Sequence, residues 1–128
     1  ENYEHLARIV KELHEAGFFC SLDDFGTGYS SFVPLKMLQM DEIKLDMSFL
    51  EKGLSEETDD IILRNVIHLG RDLGIKVTQE GVGSKADFDR MAELGCDVIQ
   101  GFYFAKPMKY VSYLEFVRRN YEEPDSDV

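Results

Sequence analysis

Apolar residues along the chain follow two different periods. They recur every three or four positions in four segments, which begin at residues 2, 55, 84 and 110. This spacing is typical of amphipathic helices. Four short runs rich in apolar residues lie between these segments and are predicted strands: residues 18–22, 42–45, 75–79 and 98–100. Gly17, Gly74 and Gly95 each separate a helix from the next strand, as glycines that end helices do.

The order of these elements predicts an α/β fold. Strands that alternate with helices through short turns are expected to be parallel and joined by right-handed crossovers. The segment 25–34 is a glycine-rich loop, and a short helical turn is expected near residues 35–38. Four βα units are compatible with a small open sheet. They are also compatible with half of a TIM-like (β/α)8 barrel, which typically needs about 250 residues.

Charge and composition narrow the set of partners. The 128 residues hold 14 Lys and Arg against 25 Asp and Glu, a net charge of −11, which disfavours nucleic acid as a partner. No apolar run reaches the roughly 18–20 residues of a membrane span, so no membrane contact is expected from this segment. Cys20 and Cys96 show no CxxC spacing. We therefore expect free thiols in a reducing, cytoplasmic environment.

Each predicted strand carries a polar residue at or just past its carboxyl end. Side chains alternate across a strand, and the residues at these ends are Asp23, Lys44, Glu80 and Gln100. In parallel β/α folds, ligands bind at this edge of the sheet. Polar strand ends are also common without any function, so composition alone leaves a chance arrangement open.

The adjacent carboxylates Asp23 and Asp24 favour a metal site. Two neighbouring negative charges repel one another unless a cation neutralises them. Together with Glu80 they could hold one or two Mg²⁺ or Mn²⁺ ions, which prefer oxygen ligands. Lys44 could orient a water molecule or bind phosphate. Each residue also has a purely structural interpretation. The two aspartates could cap a turn before Phe25, Lys44 could be an ordinary surface lysine, and Glu80 could mark the transition from strand to loop.

Five motifs resemble those of the EAL family, whose members hydrolyse cyclic di-GMP to the linear dinucleotide pGpG. They occur in the family's order: LDDFGTGYSSF (22–32), IKLDMSFL (43–50), QEGV (79–82), LGCD (94–97) and QGFYFAKPM (100–108). Each motif is weak alone, but together they cover nearly the whole chain. The resemblance implies a TIM-like barrel with a two-metal site at the carboxyl ends of its strands.

The resemblance also implies a role for each polar strand end. Asp23 matches the carboxylate shared by both metals and Asp24 the next ligand. Lys44 matches the lysine beside the nucleophilic water, and Glu80 matches a metal ligand or general base. Gln100 matches the glutamine that helps to position the water. A regulatory loop that couples the site to dimerisation is matched by Phe25, Gly26, Thr27, Gly28, Tyr29, Ser30 and Ser31.

Two departures from the family pattern shape the expected function. Residues 1–121 match only the C-terminal half of the domain, followed by a flexible acidic tail at 122–128. The strand with the Glu-Ala-Leu motif, and the strands with an Asn and a Glu ligand, are not in these 128 residues. Gly83 stands where the family usually has Glu, and Gln79 where it usually has a small residue.

We therefore expect a fragment of a cyclic di-GMP phosphodiesterase whose parent could be membrane-anchored through other regions. The fragment itself is expected to bind Mg²⁺ or Mn²⁺ weakly, to lack activity and to self-associate. An alternative is a degenerate EAL domain that senses the nucleotide or binds a protein partner without turnover. A family-independent alternative is a small β/α domain with a divalent-metal site of unknown purpose.

Overall fold

The computed structural model describes residues 2–27 and 32–121. In these ranges helices and strands alternate along the chain, and a 3₁₀ turn at Met47–Leu50 follows the second strand. The elements in chain order are α1 (Tyr3–Glu15), β1 (Ser21–Phe25), α2 (Val33–Met37), β2 (Glu42–Leu45), α3 (Glu56–Leu73), β3 (Lys76–Gln79), α4 (Lys85–Glu93), β4 (Val98–Ile99) and α5 (Tyr110–Tyr121). The predicted tail at 122–128 lies outside the described residues.

All four strands are parallel and lie in the order β1-β2-β3-β4. Glu42 pairs with Ser21 on one side and with Lys76 on the other. Strands in a barrel follow chain order, whereas doubly wound sheets reverse their order at a switch point. The predicted α/β class with four βα units is confirmed, and the strand order is that of a barrel segment. β1 and β4 form the two edges of this sheet.

Capping residues set the helix boundaries as the sequence predicts. The Ser55 side chain accepts a hydrogen bond from the Thr58 N–H at the start of α3, and the Ser84 side chain accepts one from the Asp87 N–H at the start of α4. Such caps each contribute about 1 kcal/mol. Gly74 ends α3 with a φ of +70°, a left-handed conformation that side chains disfavour.

The first strand lies further along the chain than predicted. Residues 18–22 were expected to be extended, but β1 begins at Ser21, where pairing with Glu42 begins. Phe18 instead donates its N–H to the Leu13 carbonyl at the end of α1, and its side chain is 62% exposed. Only the last two residues of the predicted strand, Ser21 and Leu22, therefore belong to β1. As a result, Asp23 and Asp24 lie inside β1 and not beyond its end.

The remaining differences in helix boundaries and burial are small. The short helix predicted near 35–38 is α2 at Val33–Met37, with Pro34 in its first turn. In α4, Met91 is fully buried and Phe88 half-buried, whereas Ala92 is exposed on the side of the helix that faces away from the sheet.

The hydrophobic core lies between the sheet and helices α3 and α4. Ile43, Leu45 and Val77 of the strands pack with Leu63 and Ile67 of α3, and all five are at most 1% exposed. Burying a side chain of this size contributes about 1.5–3 kcal/mol. The opposite face of the sheet is polar and carries the candidate site. Among the described residues, no helix is long and apolar enough to cross a membrane.

Candidate active site

Three carboxylates meet at the carboxyl edge of the sheet. Asp23 and Asp24 of β1 and Glu80, which follows β3, each offer one oxygen, and these oxygens lie within 4.8 Å of one another. Both aspartates are exposed, and Glu80 is half-buried. Glu80 reaches them across β2, which lies between its own strand and β1. Of the four predicted polar strand ends, Asp23 and Glu80 therefore lie close together, and Asp24 joins them.

A bulge in β1 brings both aspartates into the cluster. Leu22 pairs with Ile43 and Phe25 with Leu45, so two residues of β1 lie opposite the single residue Lys44. Asp24 has a φ of +52°. For a residue other than glycine this left-handed conformation costs about 1–2 kcal/mol, and aspartate is among the residues that tolerate it best. Strain of this kind is concentrated at functional sites.

Hydrogen bonds hold the bulge in place. The Asp24 N–H donates to Asp23 Oδ1 at 2.8 Å. The Thr27 hydroxyl and the Thr27 N–H both donate to the Asp24 carbonyl, at 2.9 and 3.2 Å. The backbone of the strained residue is therefore held on both sides, and the Asp23 carboxylate is held by the Asp24 N–H.

Lys44 is the cation that faces this cluster. It lies in the interior of β2, and its Nζ is 3.6 Å from Glu80 Oε1. Both side chains are about 30% exposed, so solvent still reaches the pair. One lysine against three carboxylates leaves a net charge of −2. The arrangement favours a divalent cation, and its all-oxygen donor set suits Mg²⁺ or Mn²⁺.

Gln100 is not part of this contact network. It follows β4 and is bound through its backbone, whose N–H donates to the Gln79 carbonyl at 2.9 Å. Among the described residues, no hydrogen bond joins its side chain to the carboxylates. The side chain instead lines a cavity of about 330 Å³ together with Phe102 and Pro107.

The predicted regulatory loop is described in part. Phe25 is buried in the core, and Gly26 follows it with a φ of +89°. The Phe49 ring occupies the space that a side chain at Gly26 would fill. Thr27 supports the bulge through the bonds given above. The other predicted members of the loop, Gly28, Tyr29, Ser30 and Ser31, lie outside the described residues.

Comparison with known proteins decides between the architectures that the sequence leaves open. The family model described as the EAL domain matches residues 1–107. This chain belongs to the EAL domain family. EAL domains have a TIM-barrel-like fold, so the four βα units are a barrel segment and not a small open sheet.

Individual relatives show how much of an EAL protein the chain spans. The bifunctional diguanylate cyclase/cyclic di-GMP phosphodiesterase MucR of Pseudomonas aeruginosa is 39% identical over 100 residues, which are 78% of this chain and 15% of MucR. The EAL domain of Mycobacterium smegmatis DcpA matches with a TM-score of 0.84 at 32% identity, covering 93% of this chain and 53% of that chain. The manganese/cyclic di-GMP complex of Klebsiella pneumoniae BlrP1 matches with a TM-score of 0.74 at 32% identity, covering 82% of this chain and 27% of that chain.

Two further residues of this EAL chain support the site: Glu42, which the sequence did not single out, and Gln79, which it marked only as a departure from the family pattern. Glu42 accepts hydrogen bonds from the Ser21 hydroxyl at 2.7 Å and from the Thr78 hydroxyl at 2.8 Å. Its carboxylate therefore joins β1, β2 and β3 across the polar face. Strand alternation places Glu42 on the same face as Lys44, and this was the signal that could have found it.

The second is Gln79, which links the ends of β2 and β3. Its Nε2 donates to the carbonyls of Leu45, Asp46 and Glu80 at 3.3, 3.1 and 2.9 Å. Asp46 in turn accepts a hydrogen bond from the Ser48 N–H at the start of the 3₁₀ turn. Hydrogen bonds from Ser48 lower the pKa of Asp46, so this carboxylate is ionised at neutral pH.

Proposed function

We propose that this EAL chain forms part of a metal-dependent phosphodiesterase that hydrolyses cyclic di-GMP to pGpG. The observation that carries the proposal is the cluster of Asp23, Asp24 and Glu80 with Lys44 beside it, at the carboxyl edge of a barrel-type sheet. The similarity to MucR, a cyclic di-GMP phosphodiesterase, supports the substrate, and the similarity to the manganese/cyclic di-GMP complex of BlrP1 supports the type of metal.

Each residue of the cluster has a proposed role in this hydrolysis. Asp23, Asp24 and Glu80 would hold Mg²⁺ or Mn²⁺, which lowers the pKa of bound water and neutralises phosphate oxygens. Lys44 lies beside Glu80 and can donate a hydrogen bond to the attacking water or to a phosphate oxygen. Glu80 can also accept a proton from that water. The water-positioning role of Gln100 rests on the family resemblance alone, because no contact joins its side chain to the carboxylates among the described residues.

We further propose that the 128 residues alone do not turn over cyclic di-GMP. Hydrolysis of a phosphodiester needs cations at both the attacking and the leaving oxygen. The residues present supply three carboxylates, and no Glu-Ala-Leu motif occurs among the 128. A displacement of about 1 Å at a reacting group already costs on the order of 10²-fold in rate.

The domain is proposed to extend to residue 121, and its two free cysteines fit a cytoplasmic location.

A chimera tests the proposed function. The segment of MucR that this chain matches is replaced by the corresponding residues of this chain, and pGpG release is measured with Mn²⁺. We expect release from the chimera, and a loss of at least about 10²-fold on Lys44→Ala or Glu80→Ala. Lys76→Ala, at the opposite end of the sheet, is the matched control and should keep full activity.

The same assay separates the enzyme from a nucleotide sensor. Gly83 is exposed, with open space around it, where the family usually carries Glu. If a folded chimera binds cyclic di-GMP and releases no pGpG, this half of the domain is degenerate and the sensing alternative holds. If neither binding nor release occurs, the carboxylate cluster does not serve cyclic di-GMP. The unfused 128-residue chain, assayed in parallel, should release none.

A further inference from the structure

A second group of metal-ligating side chains lies at the opposite edge of the sheet. His14 comes from the last turn of α1, Cys20 directly precedes β1, and Asp41 directly precedes β2. These positions are at the amino ends of the strands, whereas Asp23 lies near the carboxyl end of β1. The two groups are therefore separated by the length of the sheet.

The three side chains converge on one point. His14 Nε2 is 2.7 Å from Asp41 Oδ2, and the Cys20 backbone N–H donates to the same oxygen at 2.7 Å. One ligand atom from each residue, the Cys20 sulfur included, lies within 4.8 Å of the other two. Cys20 is buried, while the His14 and Asp41 side chains are 28% and 35% exposed. An ion can thus reach the group from solvent and still contact a buried sulfur.

The chemistry of these donors differs from that of the carboxylate cluster. A thiolate, an imidazole and a carboxylate together are the ligands of Zn²⁺, whereas Mg²⁺ and Mn²⁺ prefer oxygen. Zinc bonds of about 2.0–2.3 Å place tetrahedral ligands roughly 3.3–3.8 Å apart. The observed spread of up to 4.8 Å needs a contraction of about 1 Å, which side-chain rotation at His14 and Asp41 can supply.

The surroundings also prepare Asp41 as a ligand. The Cys20 N–H holds the carboxylate in place, as outer contacts of metal ligands do. The same hydrogen bond, with a second one from the His14 ring, lowers the pKa of Asp41, so the group is ionised at neutral pH. The net charge of −11 over the whole chain attracts cations.

We propose that His14, Cys20 and Asp41 form a zinc-binding site that is separate from the EAL site. Zinc there would connect the end of α1 to the starts of β1 and β2, with its fourth position open to water. Binding releases the Cys20 proton and replaces the His14–Asp41 hydrogen bond. Because zinc would bind the folded chain in preference to the unfolded one, it should raise the temperature of unfolding.

Cobalt(II), which reports thiolate ligation by a charge-transfer band in the near ultraviolet, tests the proposal on the full 128-residue chain. We expect one equivalent of Co²⁺ to give this band and Zn²⁺ to remove it. Cys20→Ser should abolish the band, and His14→Gln or Asp41→Asn should weaken Co²⁺ affinity by at least about 10-fold. Cys96→Ser is the matched thiol control, and Asp23→Asn controls for the carboxylate cluster. Both should keep the band.

X-ray absorption at the zinc edge makes the test independent of any variant's folding. The unsubstituted chain with one equivalent of Zn²⁺ should show one sulfur at about 2.3 Å, with nitrogen and oxygen neighbours at about 2.0–2.1 Å. A zinc shell without sulfur would overturn the proposal. So would a thiolate band that survives Cys20→Ser and disappears in Cys96→Ser.

Discussion

Replacing Gln79 with methionine tests how the ends of β2 and β3 are held together. Gln79 is fully buried, and its Nε2 contacts the carbonyls of Leu45, Asp46 and Glu80. An amide has two N–H groups, so these three acceptors share two donors. Its Oε1 is buried and has no hydrogen-bond partner in the described part of the chain. Gln79→Met keeps most of the volume and removes both the donors and the unpaired oxygen.

The expected change in the free energy of unfolding follows from the bonds that remain. The Leu45 carbonyl still accepts the Glu80 N–H at 3.1 Å, and the Asp46 carbonyl still accepts the Phe49 N–H at 3.1 Å. The main loss is the bond to the Glu80 carbonyl, about 0.5–1.5 kcal/mol. Removal of the unpaired buried oxygen raises the free energy of unfolding by about 1–3 kcal/mol. The free energy of unfolding of Gln79→Met should therefore be at most about 1 kcal/mol lower than that of the unsubstituted chain, or higher than it.

Alanine at the same position separates packing from hydrogen bonding. Gln79→Ala loses the same bonds and also leaves a cavity, so it should be less stable than Gln79→Met by about 2–4 kcal/mol. Urea unfolding followed by circular dichroism measures both, with Gln39→Met and Gln39→Ala as an exposed pair of controls. The reasoning is refuted if Gln79→Met costs 3 kcal/mol or more (about twice the strongest bond lost), or if the alanine variant is as stable as the methionine one.

Three further predictions concern the site, the second thiol and assembly. Lys44→Met should tighten Mn²⁺ binding by about 3- to 10-fold, because a cation 3.6 Å from Glu80 Oε1 is removed. Lys76→Met should leave the Mn²⁺ affinity unchanged, and weaker Mn²⁺ binding in Lys44→Met would contradict the prediction. Burial raises the pKa of the Cys96 thiol, so at pH 8 iodoacetamide should modify it far more slowly in the folded chain than in urea, as followed by mass spectrometry; equal rates would show that the thiol is accessible. We propose that the chain self-associates, because the edge strands β1 and β4 have unpaired backbone groups and Val98 on the polar face is 39% exposed. Sedimentation at micromolar concentration should show dimers or larger species, and a well-behaved monomer would rule out self-association.

The sequence is a good guide to the fold wherever one physical signal dominates. Helical periodicity and the capping residues Ser55, Gly74 and Ser84 locate α3 and α4 within one or two residues. It fails at Phe18 and Phe19, where apolar side chains suggest a strand but remain 62% and 60% exposed. Whether such a run pairs depends on the backbone of β2, which is distant in the sequence.

The candidate site divides along the same line. Strand alternation and the family resemblance identify Asp23, Lys44 and Glu80, and the structure places them together. Strand alternation alone predicts that Asp24 lies on the face of the sheet opposite to Asp23, because the local sequence pattern does not indicate the bulge. The contact of His14 with Asp41 could not be predicted from the local pattern either, since the two residues are 27 positions apart.

Titration of the 128-residue chain with Mn²⁺, followed by the electron paramagnetic resonance signal of the free ion, tests the metal site most directly. The site requires all three carboxylates, so we expect millimolar affinity in the unsubstituted chain and a loss of at least about 10-fold in Asp23→Asn. Asp72→Asn, which removes the same charge from an exposed position on α3, should bind as the unsubstituted chain does. Equal affinities for the Asp23→Asn variant and the unsubstituted chain would contradict the assignment of the metal site.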